Sequence, residues 1–322
     1  MPPIQRLAPL IALAAAATIA AAQGYPSKPV RLLVGFPPGG ANDIVARIAA
    51  QKLSDTLGQP VVVENRPGNA GVVAAEVLAK SAPDGYTLML GSTGTNAIAP
   101  ALTTKLPYDP VNAFTPVGLV GIAPSALVVN AAVPAQNIRE LVALAKSKPG
   151  KLTYASSGNG TTLHLGGELF KLMAGVDIVH IPYKGNAQAL NDVIGGQVDM
   201  ILSALPPALP LAKVGKVRIL GVAMPERLKS LPDVPPVAEQ GLPGYEMSTW
   251  YGIFAPAGTP PEAIEKIGVE VRRAVADPKV RDLILAQGIE PLSSTPAEFR
   301  AFVGAEQEKW ARVVKAASVK SD

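Results

Sequence analysis

A strand, a Gly-rich turn and the start of a helix follow one another in Val30-Arg-Leu-Leu-Val-Gly-Phe-Pro-Pro-Gly-Gly-Ala-Asn-Asp-Ile-Val-Ala-Arg47. The run Val30–Phe36 is apolar and β-branched, as in a buried strand, and Asp43–Leu57 has the apolar spacing of a helix. The turn between them places several backbone N–H groups at the start of that helix, where the helix dipole is positive. We therefore predict that the turn Phe36–Asp43 binds an anion.

A second turn of the same kind, Ser156-Ser-Gly-Asn-Gly-Thr-Thr162, follows the strand-like run Thr153–Ala155. Its glycines allow close backbone approach, and its hydroxyl and amide side chains are uncharged hydrogen-bonding groups. Such groups can hold a carboxylate by directed hydrogen bonds without a desolvated ion pair. We predict that the two turns are halves of one site, with further contacts from the loop Gly91-Ser-Thr-Gly-Thr-Asn96 after the third strand. The candidate contacts are Phe36, Pro38, Gly39, Gly40, Ala41, Asn42, Asp43, Thr93, Ser156, Ser157, Gly158, Asn159, Gly160 and Thr161.

Short β-branched runs alternate with longer helical patterns, which is typical of α/β proteins with a mostly parallel sheet. The expected strands are Val30–Phe36, Val61–Glu64, Thr87–Leu90, Val117–Ile122, Ala126–Asn130, Thr153–Ala155, Ile178–Ile181, Val198–Ser203, Val217–Ala223 and Trp250–Ala255. The expected helices are Asp43–Leu57, Gly71–Lys80, Ile138–Lys146, Thr162–Met173, Asn186–Ile194 and Pro207–Val214. Two more helices are expected to begin with the capping residues Thr259 and Thr295, each followed by Pro and then by Glu.

The chain has 322 residues, enough for two domains with separate cores. The apolar runs of 114–130 are split by Ala123-Pro124-Ser125, and we interpret the second run as a crossover into another domain. The terminal helices are expected to return to the first domain. We thus predict domain 1 at 23–124 and 247–322, domain 2 at 125–246, and hinges near Ala123–Ala126 and Tyr245–Ser248.

The first residues differ from the rest of the chain. Arg6 precedes the apolar run Leu7–Ala22, which ends in small residues, so 1–22 is predicted to be a signal peptide cleaved after Ala22. The sequence contains no cysteine, which excludes lipid attachment through a cysteine. We expect a periplasmic monomer without stable membrane insertion. The net charge of +4 comes from scattered Lys and Arg, so no nucleic-acid partner is expected.

Catalytic patterns are missing from the sequence. His164 and His180 are its two histidines, and their separation does not fit a local metal motif. We predict structural histidines, no metal, no cofactor and no enzymatic activity. An enzyme on the same scaffold, for instance one using Asp43 with His164, is the alternative. Lys184 is the obvious cationic candidate for the cleft, and a solvated surface lysine is its alternative.

Several motifs, in order, resemble those of the Bug receptors, the extracytoplasmic solute-binding proteins of tripartite tricarboxylate transporters. The likeness runs from about Tyr25 to the C-terminus. The motifs are Phe36-Pro-Pro-Gly-Gly-Ala-Asn-Asp-Ile-Val-Ala-Arg47, Val63-Glu-Asn-Arg-Pro-Gly68, Pro83-Asp-Gly-Tyr-Thr-Leu88, Ile181-Pro-Tyr-Lys-Gly185, Gly195-Gly-Gln-Val-Asp199, Leu231-Pro-Asp-Val-Pro235 and Trp250-Tyr-Gly-Ile-Phe-Ala-Pro-Ala-Gly-Thr-Pro260.

The resemblance implies a two-domain periplasmic-binding-protein fold of type II-like architecture, with a ligand cleft between the domains. It implies a receptor that holds a small mono- or dicarboxylate at two facing loops, here Phe36–Asp43 and Ser156–Thr162, and delivers it to membrane transporter subunits. Tyr183 and Ser203 become candidates to line the cleft. A sensor that presents its closed form to a signalling partner is an alternative. Aromatic, dicarboxylic, amino-acid and nicotinic-type acids all fit the expected site.

Overall fold

The structure, a computed structural model, describes residues 25–103, 105–183, 185–228, 231–317 and 319. Two sequence predictions lie outside these residues, the leader at 1–22 and the candidate Lys184. Strands and helices alternate through most of the described chain, so the predicted α/β class is confirmed. The strands are β1 (Val30–Val34), β2 (Val61–Asn65), β3 (Thr87–Ser92), β4 (Phe114–Asn130), β5 (Thr153–Ser156), β6 (Val179–Pro182), β7 (Met200–Ala204), β8 (Val217–Val222), β9 (Ser248–Pro256) and β10 (Glu290–Pro291).

The helices cover the sheet and connect its strands. They are α1 (Ala41–Leu57), α2 (Val72–Ala79), α3 (Ala99–Leu102), α4 (Ile138–Ser147), α5 (Thr162–Ala174), α6 (Asn186–Ile194), α7 (Leu205–Lys213), α8 (Pro261–Ala276), α9 (Pro278–Ala286) and α10 (Pro296–Ala317). A helical turn at Gly94–Ile98 leads into α3. Across the described ranges, none of these helices has the length and apolar character that a membrane crossing requires.

The strands form one curled sheet in the order β2-β1-β3-β9-β4-β7-β5-β6. Strands β1, β2 and β3 are parallel to one another, and so are β5, β6 and β7. Strand β9 is antiparallel to both of its neighbours, β3 and β4. Because parallel strands present their carboxyl ends at one edge, each parallel group places the loops after its strands side by side.

Strand β4 joins the two parallel groups. It pairs with β9 from Phe114 to Pro124 and with β7 from Ser125 onward, so it changes neighbours at this point. The Ser125 carbonyl accepts a hydrogen bond of 2.7 Å from Ala223, whose own carbonyl accepts one of 2.9 Å from Met247. The segment before β9 therefore lies close to the change of partners in β4.

The sequence interpretation of β4 as two separate runs was wrong. The strand is continuous from Phe114 to Asn130, and almost all of it is buried. A buried backbone needs hydrogen-bond partners along its whole length, and β4 finds them in β9 on one side of Pro124 and in β7 and β8 on the other. The proline therefore marks a change of neighbours without ending the strand.

The two predicted Thr-Pro caps have different outcomes. At Thr295 the capping box is confirmed, because its Oγ1 accepts the Glu298 amide at 3.2 Å while its own amide donates to the Glu298 carboxylate at 2.8 Å. The prediction for Thr259 was wrong: helix α8 begins at Pro261, and Thr259 Oγ1 donates to the Pro256 carbonyl at 2.8 Å. Two consecutive prolines at 260 and 261 shift the helix start past the threonine.

The C-terminal helix α10 packs on the centre of the sheet through aromatic side chains. Trp250 of β9 and Trp310 of α10 are fully buried, and both indole nitrogens donate to the Glu306 carboxylate at 3.1 Å. The Phe299 ring lies so close to Gly252 that a Cβ there would be 2.2 Å from the ring. This contact holds α10 against β9.

Candidate functional site

The first predicted turn connects β1 to α1 and is held in place by Asp43. The Asp43 carboxylate accepts hydrogen bonds from the Gly39 amide at 3.0 Å, from Arg47 Nε at 2.9 Å and from the Asn65 side-chain amide at 2.9 Å. Gly39 has a φ of +84°, which favours glycine, and no side chain caps α1 at Gly40. The hydrogen bond from Arg47 lowers the pKa of the Asp43 carboxyl to about 2.

The buried position of Asp43 changes which backbone donors of this turn are left for an anion. With its side chain only 5% exposed, it is directed into the loop and does not face the cleft. The Gly39 amide, expected to be free for an anion, donates to Asp43 instead. The donors left for a ligand are at the start of α1, around Asn42.

The second predicted turn connects β5 to α5 and has the same design. Thr161 caps α5, since its Oγ1 accepts the His164 amide at 3.3 Å, and it also donates to the Gly158 carbonyl at 2.8 Å. Gly160, with a φ of +70°, donates its amide hydrogen to His164 Nδ1 at 3.0 Å. In both turns a side chain in the first helical turn accepts the amide of the glycine four residues earlier.

The two histidines lie face to face behind the second turn. The rings of His164 and His180 are 4.0 Å apart and nearly parallel, and Tyr154 stacks on His180 at 4.8 Å. Nε2 of His180 lies 2.7 Å from Ser156 Oγ. Burial, with a smaller effect from His164, lowers the pKa of His180 to about 4. Strand β6 pairs in parallel with β5 and brings His180 beside Tyr154, a proximity that spacing along the chain did not indicate.

The two turns meet at a cavity of about 310 Å³. Six predicted contacts line it, three of them polar side chains of the second turn, Ser157, Asn159 and Thr161. The described residues that line the cavity are Phe36, Asn42, Ala70, Ser92, Gly94, Ala123, Ser125, Ser157, Asn159, Gly160, Thr161, Thr162, Leu163, Ala204, Thr249 and Tyr251. None of these side chains is charged, so hydroxyls, amides and backbone groups form the polar part of the lining.

Helix starts surround this cavity. Asn42 lies in the first turn of α1, Thr161 caps α5, Ala204 directly precedes α7, and Gly94 begins the helical turn that leads to α3. The positive ends of several helix dipoles therefore converge on a space without charged side chains. Such a space favours an anion held by hydrogen bonds.

Other predicted contacts lie outside the lining, and their role as ligand contacts stays a prediction. Thr93 is buried, and its hydroxyl joins the loop after β3 to β9 by donating to the Ser248 carbonyl at 3.3 Å and accepting the Trp250 amide at 2.9 Å. The remaining members of this group are Pro38, Gly39, Gly40, Ala41, Asp43, Ser156, Gly158, Tyr183 and Ser203.

The two candidates of the second predicted domain have partners within it. The Tyr183 hydroxyl donates to Asp192 at 2.8 Å, and burial raises the pKa of Tyr183 to about 12. Ser203 is buried, accepts from Asn186 at 3.1 Å and donates to the Ala204 carbonyl at 2.8 Å. Both hydroxyls therefore have partners within the protein, and Ala204, the neighbour of Ser203, lines the cavity.

Sequence reasoning missed part of the lining. The missed residues Ser125 and Thr249 come from β4 and β9. Ser92 and Gly94, which also line the cavity, belong to the segment 91–96 from which further contacts were expected. Ser125 and Thr249 lie inside long strands, where only the strand pairing shows which side chains reach the cavity.

A larger groove of about 530 Å³ lies between α1 and α9, away from both turns. It contains Lys52 and Lys279 together with Asp55 and Asp277. Lys52 is already paired with Asp277 at 2.7 Å, and the carboxylates offset the positive charge. Because it lacks convergent helix starts, this groove is a poorer anion site than the cavity between the turns.

A family model described as the tripartite tricarboxylate transporter family receptor matches residues 45–319. The chain belongs to this family. A relative, Protein BugT of Bordetella pertussis, is 38% identical over 311 residues, which cover 96% of this chain and 95% of BugT. The resemblance to the Bug receptors is thus confirmed.

Solved structures of similar proteins agree with this assignment. The periplasmic binding protein BugD is 35% identical, with a TM-score of 0.75 over 92% of this chain and all of BugD. R. palustris Rpa4515, solved with adipate, is 36% identical, with a TM-score of 0.79 over 92% of this chain and 99% of that one. The expected periplasmic-binding-protein fold is confirmed. The family and these neighbours are solute-binding proteins, and this chain is a solute-binding receptor of that family.

Proposed function

We propose that this receptor captures a small organic acid, a mono- or dicarboxylate, and delivers it to the membrane subunits of a tripartite tricarboxylate-type transporter. The observation that carries the proposal is the uncharged cavity on which the starts of α1, α5 and α7 converge. Hydrogen bonds from neutral groups select a carboxylate and still allow its release to a partner. Export through the leader predicted at 1–22 would bring the protein to the periplasm.

The ligand class is supported from two sides. Adipate occupies Rpa4515, which is 36% identical to this chain. The Asn42 side-chain oxygen is buried and has no hydrogen-bond partner among the described residues. Because an amide can present either its donor or its acceptor to the same place, a bound acid or its hydroxyl group would satisfy Asn42.

We propose that binding closes two domains, 23–124 with 247–322 and 125–246, around the acid. Strand β4 and the segment before β9 are the connections that would act as hinges. Gly160 of the second turn already lies near Leu102, since a methyl group on Gly160 would be 2.9 Å from Leu102 Cδ1. Closure would let both turns contact the same carboxylate and exclude water. The monomeric state stays a prediction for light scattering of the mature protein.

Calorimetric titration of the mature protein with adipate, malate, benzoate and the neutral analogue adipamide tests the proposal. We expect at least one acid to bind at least ~10-fold more tightly than adipamide, because only a carboxylate carries the charge that the helix starts favour. Ser157→Ala should weaken binding of that acid. Ser147→Ala, the same change at an exposed position of α4, is the control. Equal binding of adipamide would contradict the proposal.

A further inference from the structure

The stacked histidines behind the second turn are not among the proposed ligand contacts, but His164 accepts the amide of Gly160, which lines the cavity. We propose that the neutral His164 ring, stacked on His180, is a positioning residue that holds the second turn in its ligand-binding shape, so that protonation of the pair weakens binding. The inference rests on the proposed function, because it concerns the turn that would hold the acid.

The hydrogen bond to Gly160 determines where the proton of His164 lies. The Gly160 amide can only donate, so His164 Nδ1 must accept with its lone pair, and the neutral ring carries its proton on Nε2. A second proton would go to Nδ1 and face the amide hydrogen at close range. Protonation of His164 therefore breaks the contact that fixes Gly160.

The loss of this contact would reach the cavity directly. Gly160 lines the cavity, and so do Asn159 and Thr161 on either side of it. Glycine adopts a φ of +70° about as readily as other conformations, so the hydrogen bond to His164 helps to select this one at Gly160. A shift of this glycine moves both neighbouring donors away from a carboxylate.

His180 supports the start of the same turn. Its Nε2 lies 2.7 Å from Ser156 Oγ, and that hydroxyl is within 3.1 Å of both the amide and the carbonyl oxygen of Gly158. The histidine pair is therefore connected to Gly158 and to Gly160. A positive charge on either ring would also face the other ring at a centroid distance of 4.0 Å.

The groups around the pair favour the neutral form. Glu168 accepts from the Tyr154 hydroxyl at 2.6 Å and is paired with Lys171 at 3.0 Å, so the charge of the carboxylate is offset. On the strand side, Tyr154 stacks on His180, and the Tyr245 hydroxyl donates to the Gly166 carbonyl at 3.0 Å. The lowered pKa of His180 agrees with a pair that is neutral when ligand binds.

The test compares adipate affinity at pH 7.5 and pH 5.0 for three proteins. His164→Leu removes the acceptor. His164→Asn places an amide oxygen near the position of Nδ1 and does not titrate. At pH 7.5 we expect His164→Leu to bind at least ~10-fold more weakly than wild type, with most of the loss recovered in His164→Asn.

On lowering the pH from 7.5 to 5.0 the wild type should lose more affinity than His164→Asn, and this difference should widen as the pH is lowered further toward 4. Protonation of adipate affects both proteins equally, so the difference between them reports the histidine. Equal pH dependence, or wild-type affinity in His164→Leu, would overturn the inference. If another acid of the panel is the ligand, that acid replaces adipate as the probe.

If the wild type binds no acid at pH 7.5, the proposed function fails. Nuclear magnetic resonance of the ligand-free protein then tests separately whether the His164 ring contacts Gly160. The chain has two histidines, so each ring signal can be assigned from a single variant. The Gly160 amide signal should follow the titration of His164. The amide of exposed Gly215, which also has a φ of +70°, should not. A Gly160 amide signal that does not change when His164 titrates would overturn the inference.

Discussion

The Asp43 carboxylate accepts the amide hydrogen of Gly39, four residues earlier, at a distance of 3.0 Å. His164 accepts the amide of Gly160 in the same way, also at 3.0 Å. Both acceptors lie in the first turn of the helix that follows, and both glycines have a positive φ. The two turns at the cavity thus share one arrangement: the Asp43 carboxylate supports the first turn, and the His164 imidazole supports the second.

Replacement of Asp43 by alanine should destabilise the fold and weaken ligand binding. The change removes the acceptor of Gly39, Arg47 and Asn65, and we expect a loss of about 1–3 kcal/mol in the free energy of unfolding. Chemical denaturation and calorimetry measure the two effects. Asp55→Ala, an exposed change on the same helix, should stay within about 0.5 kcal/mol of wild type. Equal stability of the two variants would contradict the role of Asp43.

Acid should destabilise the protein in two steps. The pKa of His180 is lowered from 6.5 to about 4, so between these values the unfolded state binds more protons and stability falls as the pH falls. The loss amounts to at most about 3 kcal/mol. The lowered pKa of Asp43, about 2, adds a second loss as the pH falls from about 4 toward 2.

Unfolding experiments at a series of pH values measure these slopes. His180→Gln should flatten the slope between pH 6.5 and 4, because it removes the titrating ring at that position. The slope below pH 4 should remain. An unchanged slope in His180→Gln above pH 4 would show that another group controls the first step.

Gly160→Ala should weaken ligand binding beyond its effect on stability. A side chain at a φ of +70° costs about 1–2 kcal/mol, and the methyl group would also press on Leu102. Gly175→Ala is the matched control, because its φ is +61° and no atom lies within 4 Å of the added Cβ. Gly160→Ala should lose at least as much stability as Gly175→Ala, and only Gly160→Ala should lose affinity. A similar loss of affinity in Gly175→Ala would argue against a local effect at the cavity.

Glu306→Ala should destabilise the fold by about 3 kcal/mol, since it leaves the buried indole nitrogens of Trp250 and Trp310 without their acceptor. Thermal unfolding followed by tryptophan fluorescence measures the change. Glu308→Ala, an exposed glutamate on the same helix, is the control. Comparable unfolding temperatures for the two variants would mean that the indoles find other partners.

Local patterns were enough to predict the two turns and most helices. Glycine and proline at the turns and the spacing of apolar residues act within a few positions, so α6 at Asn186–Ile194 is found where it was expected. The same reasoning located six of the residues that line the cavity. The hydrogen bonds that hold the Asp43 carboxylate inside the loop were not predicted, because one of its partners, Asn65, comes from the neighbouring strand β2.

Features set by strand pairing could not be predicted in this way. The contact between the Trp250 amide and the Thr93 hydroxyl depends on the antiparallel pairing of β3 with β9, and the role of Thr93 as a ligand contact stays a prediction. The stacking of His164 on His180 likewise depends on the register of β5 against β6. These contacts join residues far apart in sequence, and no periodicity indicates them.

A crystal structure of the mature protein with the acid that binds in the calorimetric panel tests the central claim most directly. The account predicts carboxylate oxygens within about 3 Å of donors from both turns, around Asn42 and Ser157, without contact to lysine or arginine. An acid bound in the groove beside Lys52 and Lys279, or held in the cavity by a cationic side chain, would contradict it.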